Sequence, residues 1–207
     1  MSTRRNPYVG DKATQAAKAR GYPARSVFKL QEIDKRIQLL KAGQHVLDLG
    51  AAPGSWSLYA SQKVGLAGRV LAIDLQEIVQ RFDKNVIVAR GDAFDVSNEV
   101  LQTFAPYDVV LSDMAPRTSG VKLRDQSASF ELYMRALEVG AQVGKPGSRF
   151  VGKLFMGPDF DEAVAKTKEK YGKTRVIRPE GTRQVSKEVF IVGMSLRVAE
   201  SPDVATE

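Results

Sequence analysis

From residue 46 onward, short apolar runs recur along the chain: 46–49, 70–74 (Val-Leu-Ala-Ile-Asp), 86–89, 107–112 (Tyr-Asp-Val-Val-Leu-Ser), 149–155, 174–177 and 188–196. Near-continuous apolar runs of this length read as strands buried on both faces. Between them, 55–64, 97–104, 127–143 and 159–171 carry their apolar residues at helical spacing. Strands alternating with amphipathic helices predict an α/β fold, a parallel sheet of seven strands with helices on both faces. Ahead of the first strand, Ala-rich 11–19 predicts one helix, stopped by Gly21. The repeat of Val27, Leu30, Ile33 and Ile37 predicts a second, from about Ser26 to Leu40, with Lys29 off its apolar stripe.

The first strand runs into a turn, and residues 46–56 read Val-Leu-Asp-Leu-Gly-Ala-Ala-Pro-Gly-Ser-Trp. An apolar run that ends in an acid and passes through spaced glycines into a helix is how a parallel strand meets a nucleotide-like ligand. Gly50 and Gly54 bracket the turn and let backbone approach a ligand closely, and Pro53 rules out an ordinary helix interior there.

Composition narrows the chemistry. At 207 residues the chain is long enough for one domain with a core that needs no disulfide or metal. With no Cys and a single His, His45, at the edge of the first strand, a zinc site, a thiol nucleophile and a Ser-His-Asp triad are set aside. Catalysis then falls to Lys, Asp, Glu, Ser or Tyr. No apolar run approaches the roughly 18 residues that span a bilayer, so a soluble, cytoplasmic protein with no membrane and no metal is expected. The net charge of +7 is uneven, since residues 1–41 hold ten Lys/Arg against three acids, and that segment alone is +7. A front-loaded positive charge suits a polyanion. The expected organisation is a basic helical docking segment over 1–41, a ligand-binding domain over 42–197 and a loose tail over 198–207.

Ligands of open α/β sheets sit beyond the carboxyl ends of the strands, and four acids fall there. Asp48, inside the first strand, is expected to hold the turn. Asp74 closes the second strand 20 residues after Gly54, the spacing at which an acid meets ribose hydroxyls. Asp92 follows the third strand and suits an adenine amino group; Asp113 follows the fourth. Together they describe a pocket for a nucleoside. The glycine turn alone does not distinguish NAD, a nucleotide or S-adenosylmethionine, although Gly-Ala-Ala-Pro-Gly differs from the dinucleotide pattern Gly-x-Gly-x-x-Gly.

The chain resembles the FtsJ/RrmJ group of S-adenosylmethionine-dependent RNA 2'-O-ribose methyltransferases. The resemblance is carried by Asp-Leu-Gly-Ala-Ala-Pro-Gly-Ser-Trp, Ser-Asp-Met-Ala-Pro with Ser119-Gly120, Gly-Lys-Leu-Phe around Lys153, Ser-Lys-Glu-Val-Phe around Glu188 and Arg-Ser-Val-Phe-Lys-Leu around Lys29, from about Tyr22 to Arg197. It implies a Rossmann-like class I methyltransferase fold whose last strand is inserted antiparallel. It also implies a Lys-Asp-Lys-Glu tetrad at Lys29, Asp113, Lys153 and Glu188, and cofactor contacts from Gly54, Trp56, Asp74, Asp92 and Asp113. The substrate implied is ribosomal RNA, a uridine of the large subunit as in the compact bacterial members, met by a monomer through Lys18, Arg20, Arg25 and Lys29. Polar loop 115–126 is expected to guide substrate, and it has Arg117 where the bacterial members have Asn.

The residue types suit the chemistry on their own terms. Methyl transfer from a sulfonium needs oxygen, methyl carbon and sulfur in line, and a ribose hydroxyl is a poor nucleophile that must shed its proton. Lys153, in an apolar strand, is either the base or an ammonium that steers the hydroxyl. Transfer RNA or another RNA remains an alternative substrate; an oxidoreductase or a catalytically silent RNA-binding module are alternatives of another class. Neither of those requires the Lys-Asp-Lys-Glu set. Arg178 and Arg183 are further candidates for phosphate contact.

Overall fold

A computed structural model describes residues 12–180 and 188–198. Arg4, Arg5 and Arg183, with the remainder of the expected tail, lie outside the described residues. The element order is α1 (Lys12–Ala19), α2 (Val27–Ile37), β1 (His45–Leu49), α3 (Ser55–Val64), β2 (Arg69–Asp74), β3 (Val86–Arg90), α4 (Asn98–Leu101), β4 (Tyr107–Ser112), α5 (Lys122–Val143), β5 (Gly144–Phe155), α6 (Phe160–Lys170), β6 (Tyr171–Ile177) and β7 (Glu188–Leu196). Seven strands form one sheet in the order β3-β2-β1-β4-β5-β7-β6. Strands β1 to β5 pair in parallel, and β7 runs antiparallel between β5 and β6. This is the Rossmann-like, mostly parallel arrangement expected.

Strand alternation builds two cores, because successive side chains point to opposite faces. Leu47, Leu49, Leu71, Ile73, Val110 and Ile191 pack on the face covered by Tyr133, Ala136 and Leu137 of α5 and Ala163 of α6. Val46, Val70, Val109, Leu111, Val151, Phe190 and Val192 meet Leu30 and Ile33 of α2 and Trp56, Ala60 and Val64 of α3 on the other. Helix α2 is thus a wall of the second core, and the charge boundary at residue 41 is not a packing boundary. The smaller cluster of Ala17, Tyr22 and Val27 seats α1 against it.

Several elements depart from the expected bounds, among them α2, which stops at Ile37, and β6, which starts at Tyr171. Helix α5 begins at Lys122 rather than 127, so the last five residues of the anticipated 115–126 loop are helical. Its early turn is solvent-facing, with Val121 and Leu123 exposed, and therefore shows no apolar periodicity. Helix α4 covers only 98–101, and the chain continues to 105 in hydrogen-bonded turns from Thr103 N–H to the Val100 carbonyl and from Ala105 N–H to the Gln102 carbonyl. Strand β5 starts at Gly144, five residues earlier than expected, and pairs Tyr107 with Gly144 before a register shift. Pro146 and Gly147 lie inside that extension and read as strand breakers.

Candidate active site

Two cation–carboxylate pairs meet on the α2 and α3 face of the sheet, at the carboxyl ends of β4 and β5. Antiparallel register sets Lys153 opposite Phe190 and Phe155 opposite Glu188. Lys153, Phe190 and Glu188 therefore share one face, since directly paired residues and residues two apart point the same way. Lys29, from the first turn of α2, forms an ion pair with Glu188 and lies over the Phe190 ring, 5.9 Å from its centroid. Asp113 directly follows Ser112, whose register partner is Gly152, so it comes level with Lys153. The Lys153 ammonium lies 3.0 Å from Asp113 Oδ1 and donates to the Asp113 main-chain carbonyl. The carbonyl takes the aligned hydrogen bond, which leaves buried Asp113 Oδ1 in ionic contact alone. The Lys153 side chain is 7% exposed, and burial at this level leaves a cation dependent on such partners. All four groups named from the sequence are thus brought together as two pairs.

Beside them, a cavity of about 250 Å3 is lined by Gly50, Ala52, Asp74, Asp92, Asp113 and Arg117, with Ile73, Leu75, Ala93, Met114 and Leu132 as apolar walls. Asp74 is held by main chain on both oxygens: Ala52 N–H donates to Oδ2 at 2.8 Å and Gln76 N–H to Oδ1 at 2.7 Å. Asp92 Oδ1 accepts from Phe94 N–H at 2.9 Å. Each acid is fixed in direction and keeps lone pairs for a ligand. Apolar walls for a base, with three carboxylates for hydroxyl and amino groups, fit a nucleoside. Gly50 makes the close approach possible at φ +73°, where an added methyl would stand 2.9 Å from the Met114 backbone.

Asp48 lies beneath this turn, fully buried. Its Oδ2 accepts from Ser57 Oγ at 2.5 Å, which ties β1 to the first turn of α3, and its Oδ1 has no partner. Burial pushes its carboxyl up to about 7; the Ser57 hydrogen bond opposes this, and the nearby Asp113 and Asp74 charges add to it. It holds the turn, as its position in the strand implies.

Two of the residues expected to contact the cofactor lie outside the lining of this cavity. Trp56 is 2% exposed, packs 5.6 Å from Phe190 and donates its indole N–H to the Ser26 carbonyl. It is a core residue bracing α2 and Phe190, and it does not line the cavity. Gly54, too, is outside the lining, at the start of α3 with φ +107°. In turn, Leu75, Gln76, Ala93 and Met114 line the cavity without having been singled out; each directly follows a strand-end acid or its neighbour, the signal that could have found them. Leu132 comes from α5, with no local signal. In the first turn of α5, Asp125 accepts from Ser119 N–H and Oγ, which holds its carboxyl below the ordinary range and pins the loop after Asp113 to the helix. Of the basic candidates, Lys18 and Arg20 are exposed and Arg25 is half-buried. Arg20 lies over Phe28, 5.5 Å from the ring centroid, next in sequence to Lys29.

Comparison with known proteins agrees with this geometry. An FtsJ-like methyltransferase family model matches residues 22–196. A relative from Sorangium cellulosum, named ribosomal RNA large subunit methyltransferase E, is 55% identical over 94% of this chain and 92% of its own. One of the same name from Nitratidesulfovibrio vulgaris is 47% identical over 90% of this chain and 93% of its own. A crystal structure of a ribosomal RNA methyltransferase from Plasmodium falciparum superposes with TM-score 0.72 at 23% identity, covering 84% of this chain and 98% of that one, which bears on the fold. Through the match over most of its length and the paired lysines and carboxylates at the cavity, the chain belongs to the FtsJ-like methyltransferase family.

Proposed function

We propose that the protein transfers a methyl group from S-adenosylmethionine to a ribose 2'-hydroxyl of large-subunit ribosomal RNA. The observation that carries this reading is the pairing of Lys29 with Glu188 and Lys153 with Asp113 beside a cavity suited to a nucleoside. Asp74 is the acid for the cofactor ribose, Asp92 for its adenine amino group, and Asp113 lies between cofactor and catalytic lysine. When bound, S-adenosylmethionine supplies an electrophilic methyl on a cationic sulfur. The chain's part is to place the hydroxyl in line and to take its proton. Lys153, as the neutral amine, takes the hydroxyl proton, and Asp113 holds the resulting ammonium through both its carboxylate and its carbonyl. Glu188 holds Lys29 at the same face, and Lys29 contributes positive charge for the oxygen and the neighbouring phosphate. Lys18, Arg20 and Arg25 extend that charge as the RNA-docking rim.

The rRNA assignment rests on the names of the relatives and on the basic front of the chain. Labelled methyl transfer to intact large subunits, free rRNA and tRNA tests it. The wild type labels large subunits at a ribose, leaving a linkage resistant to alkali, and Lys153→Ala lowers the rate by about 10² to 10⁴. Base-methylated product, or an undiminished Lys153→Ala rate, refutes the mechanism; labelling of tRNA instead refutes the substrate.

A further inference from the structure

Between β2 and β3 the chain runs through 75–85 without helix or strand, whereas the other crossovers of the parallel sheet carry a helix. Over 77–83 the burial alternates: Ile78, Gln80 and Phe82 are half-buried, while Glu77, Val79, Arg81 and Asp83 are exposed. A period of two belongs to an extended chain lying against a surface. That surface is the glycine turn. A methyl built on Gly54 would stand 2.9 Å from Gln80 Cβ and 3.0 Å from Phe82 Cζ. The Gln80 amide donates back to the Arg81 carbonyl at 2.6 Å, so its polar end is held by the strap itself.

The position of this contact relative to the cavity gives it meaning. Asp74 and Ala52 line the cavity and are joined by a hydrogen bond. Gly54 lies two residues further along the turn, outside the lining, and there the strap closes over bare backbone. A nucleoside seated at Asp74 and Asp92, with its reactive carbon at Asp113, must lay whatever extends beyond the ribose along this turn. In S-adenosylmethionine that extension is the aminoacyl end, an alkyl stem whose far carbon carries both an ammonium and a carboxylate. Its ion contacts gain strength where water is excluded.

Resting on the cofactor reading above, we infer that Gln80 and Phe82 form the outer wall of the cofactor's aminoacyl end, so that strap 77–83 sets how tightly that end is held. The Phe82 ring and the Gln80 stem supply the side-chain surface that Gly54 lacks.

Titration calorimetry with two probes tests this. S-adenosylhomocysteine carries the nucleoside and the aminoacyl group; methylthioadenosine carries the nucleoside and thioether alone. Phe82→Ala should weaken S-adenosylhomocysteine binding about tenfold and Gln80→Ala about threefold, with methylthioadenosine changed by less than about twofold. Phe82→Leu, which keeps an apolar side chain against the turn, should show the same selectivity at about threefold and covers the case in which the alanine variant does not fold. Equal weakening of both probes, or no change in either, overturns the wall. A wild type that binds neither probe overturns the cofactor reading and this assignment with it.

Discussion

Removing the charge from Asp48 should change how stability responds to pH. In the folded protein burial pushes this carboxyl up from 3.8 to about 7, whereas the unfolded chain releases the proton near the ordinary value. Folding therefore takes up a proton between those limits, and the stability this contributes is greatest in acid and is lost as the pH rises towards 7. A shift of about 3 units at about 1.4 kcal/mol each is about 4 kcal/mol in all, of which about 3 kcal/mol falls between roughly pH 4.5 and 7.5. Asp48→Asn keeps the size and the acceptor for Ser57 Oγ but does not ionise. Its amide inherits the unpartnered position of Oδ1, at a cost of about 1–3 kcal/mol that does not vary with pH. Urea denaturation of both proteins across that pH range, read as a difference, cancels the other acids. The asparagine protein should be the less stable at the acid end and gain about 3 kcal/mol on wild type by the alkaline end. A difference constant to about half a kcal/mol would show that Asp48 ionises normally and that its burial carries no such penalty.

Trp56→Phe should cost about 1–2 kcal/mol of stability through the lost hydrogen bond to Ser26, measured by thermal denaturation, and leave methylthioadenosine affinity unchanged, because the indole braces the core outside the cavity. Gly50→Ala should lower affinity for that nucleoside at least about tenfold in calorimetry, since the added methyl meets Met114 backbone at a positive φ. Lys18→Glu with Arg20→Glu should reduce RNA affinity and flatten its salt dependence while S-adenosylhomocysteine affinity holds, as judged by filter binding across a salt series. Gly193→Ala should destabilise the fold by about 1–3 kcal/mol in urea denaturation, because the new methyl would stand 2.5 Å from the buried Tyr171 ring.

The central strands were legible because they are apolar on both faces, a pattern that depends on nothing outside the strand; the edge strands β3 and β6 are largely exposed and showed only as short apolar runs. The four residues were legible only as separate motifs; that Lys153 pairs with Asp113 depends on β5 lying beside β4, and that Lys29 meets Glu188 depends on β7 lying beside β5, long-range registers no local pattern carries. The core role of Trp56 was hidden for a related reason: its neighbours along the chain form the ligand turn, but its partners, Ser26 and Phe190, are distant in sequence. The strap over Gly54 left no trace beyond polar composition, since its alternation is half-buried and mixes Ile78 and Phe82 with Gln80.

The place of β7 in the sheet has a consequence for biosynthesis. Strand β6 is made before β7, yet β7 must enter between β5 and β6, and it brings Glu188 with it. A nascent chain that has emerged only as far as β6 has β5 with an unfilled edge, an unattached hairpin partner and Lys29 without its carboxylate. The four-residue cluster is therefore completed only once β7 has been made and seated between β5 and β6.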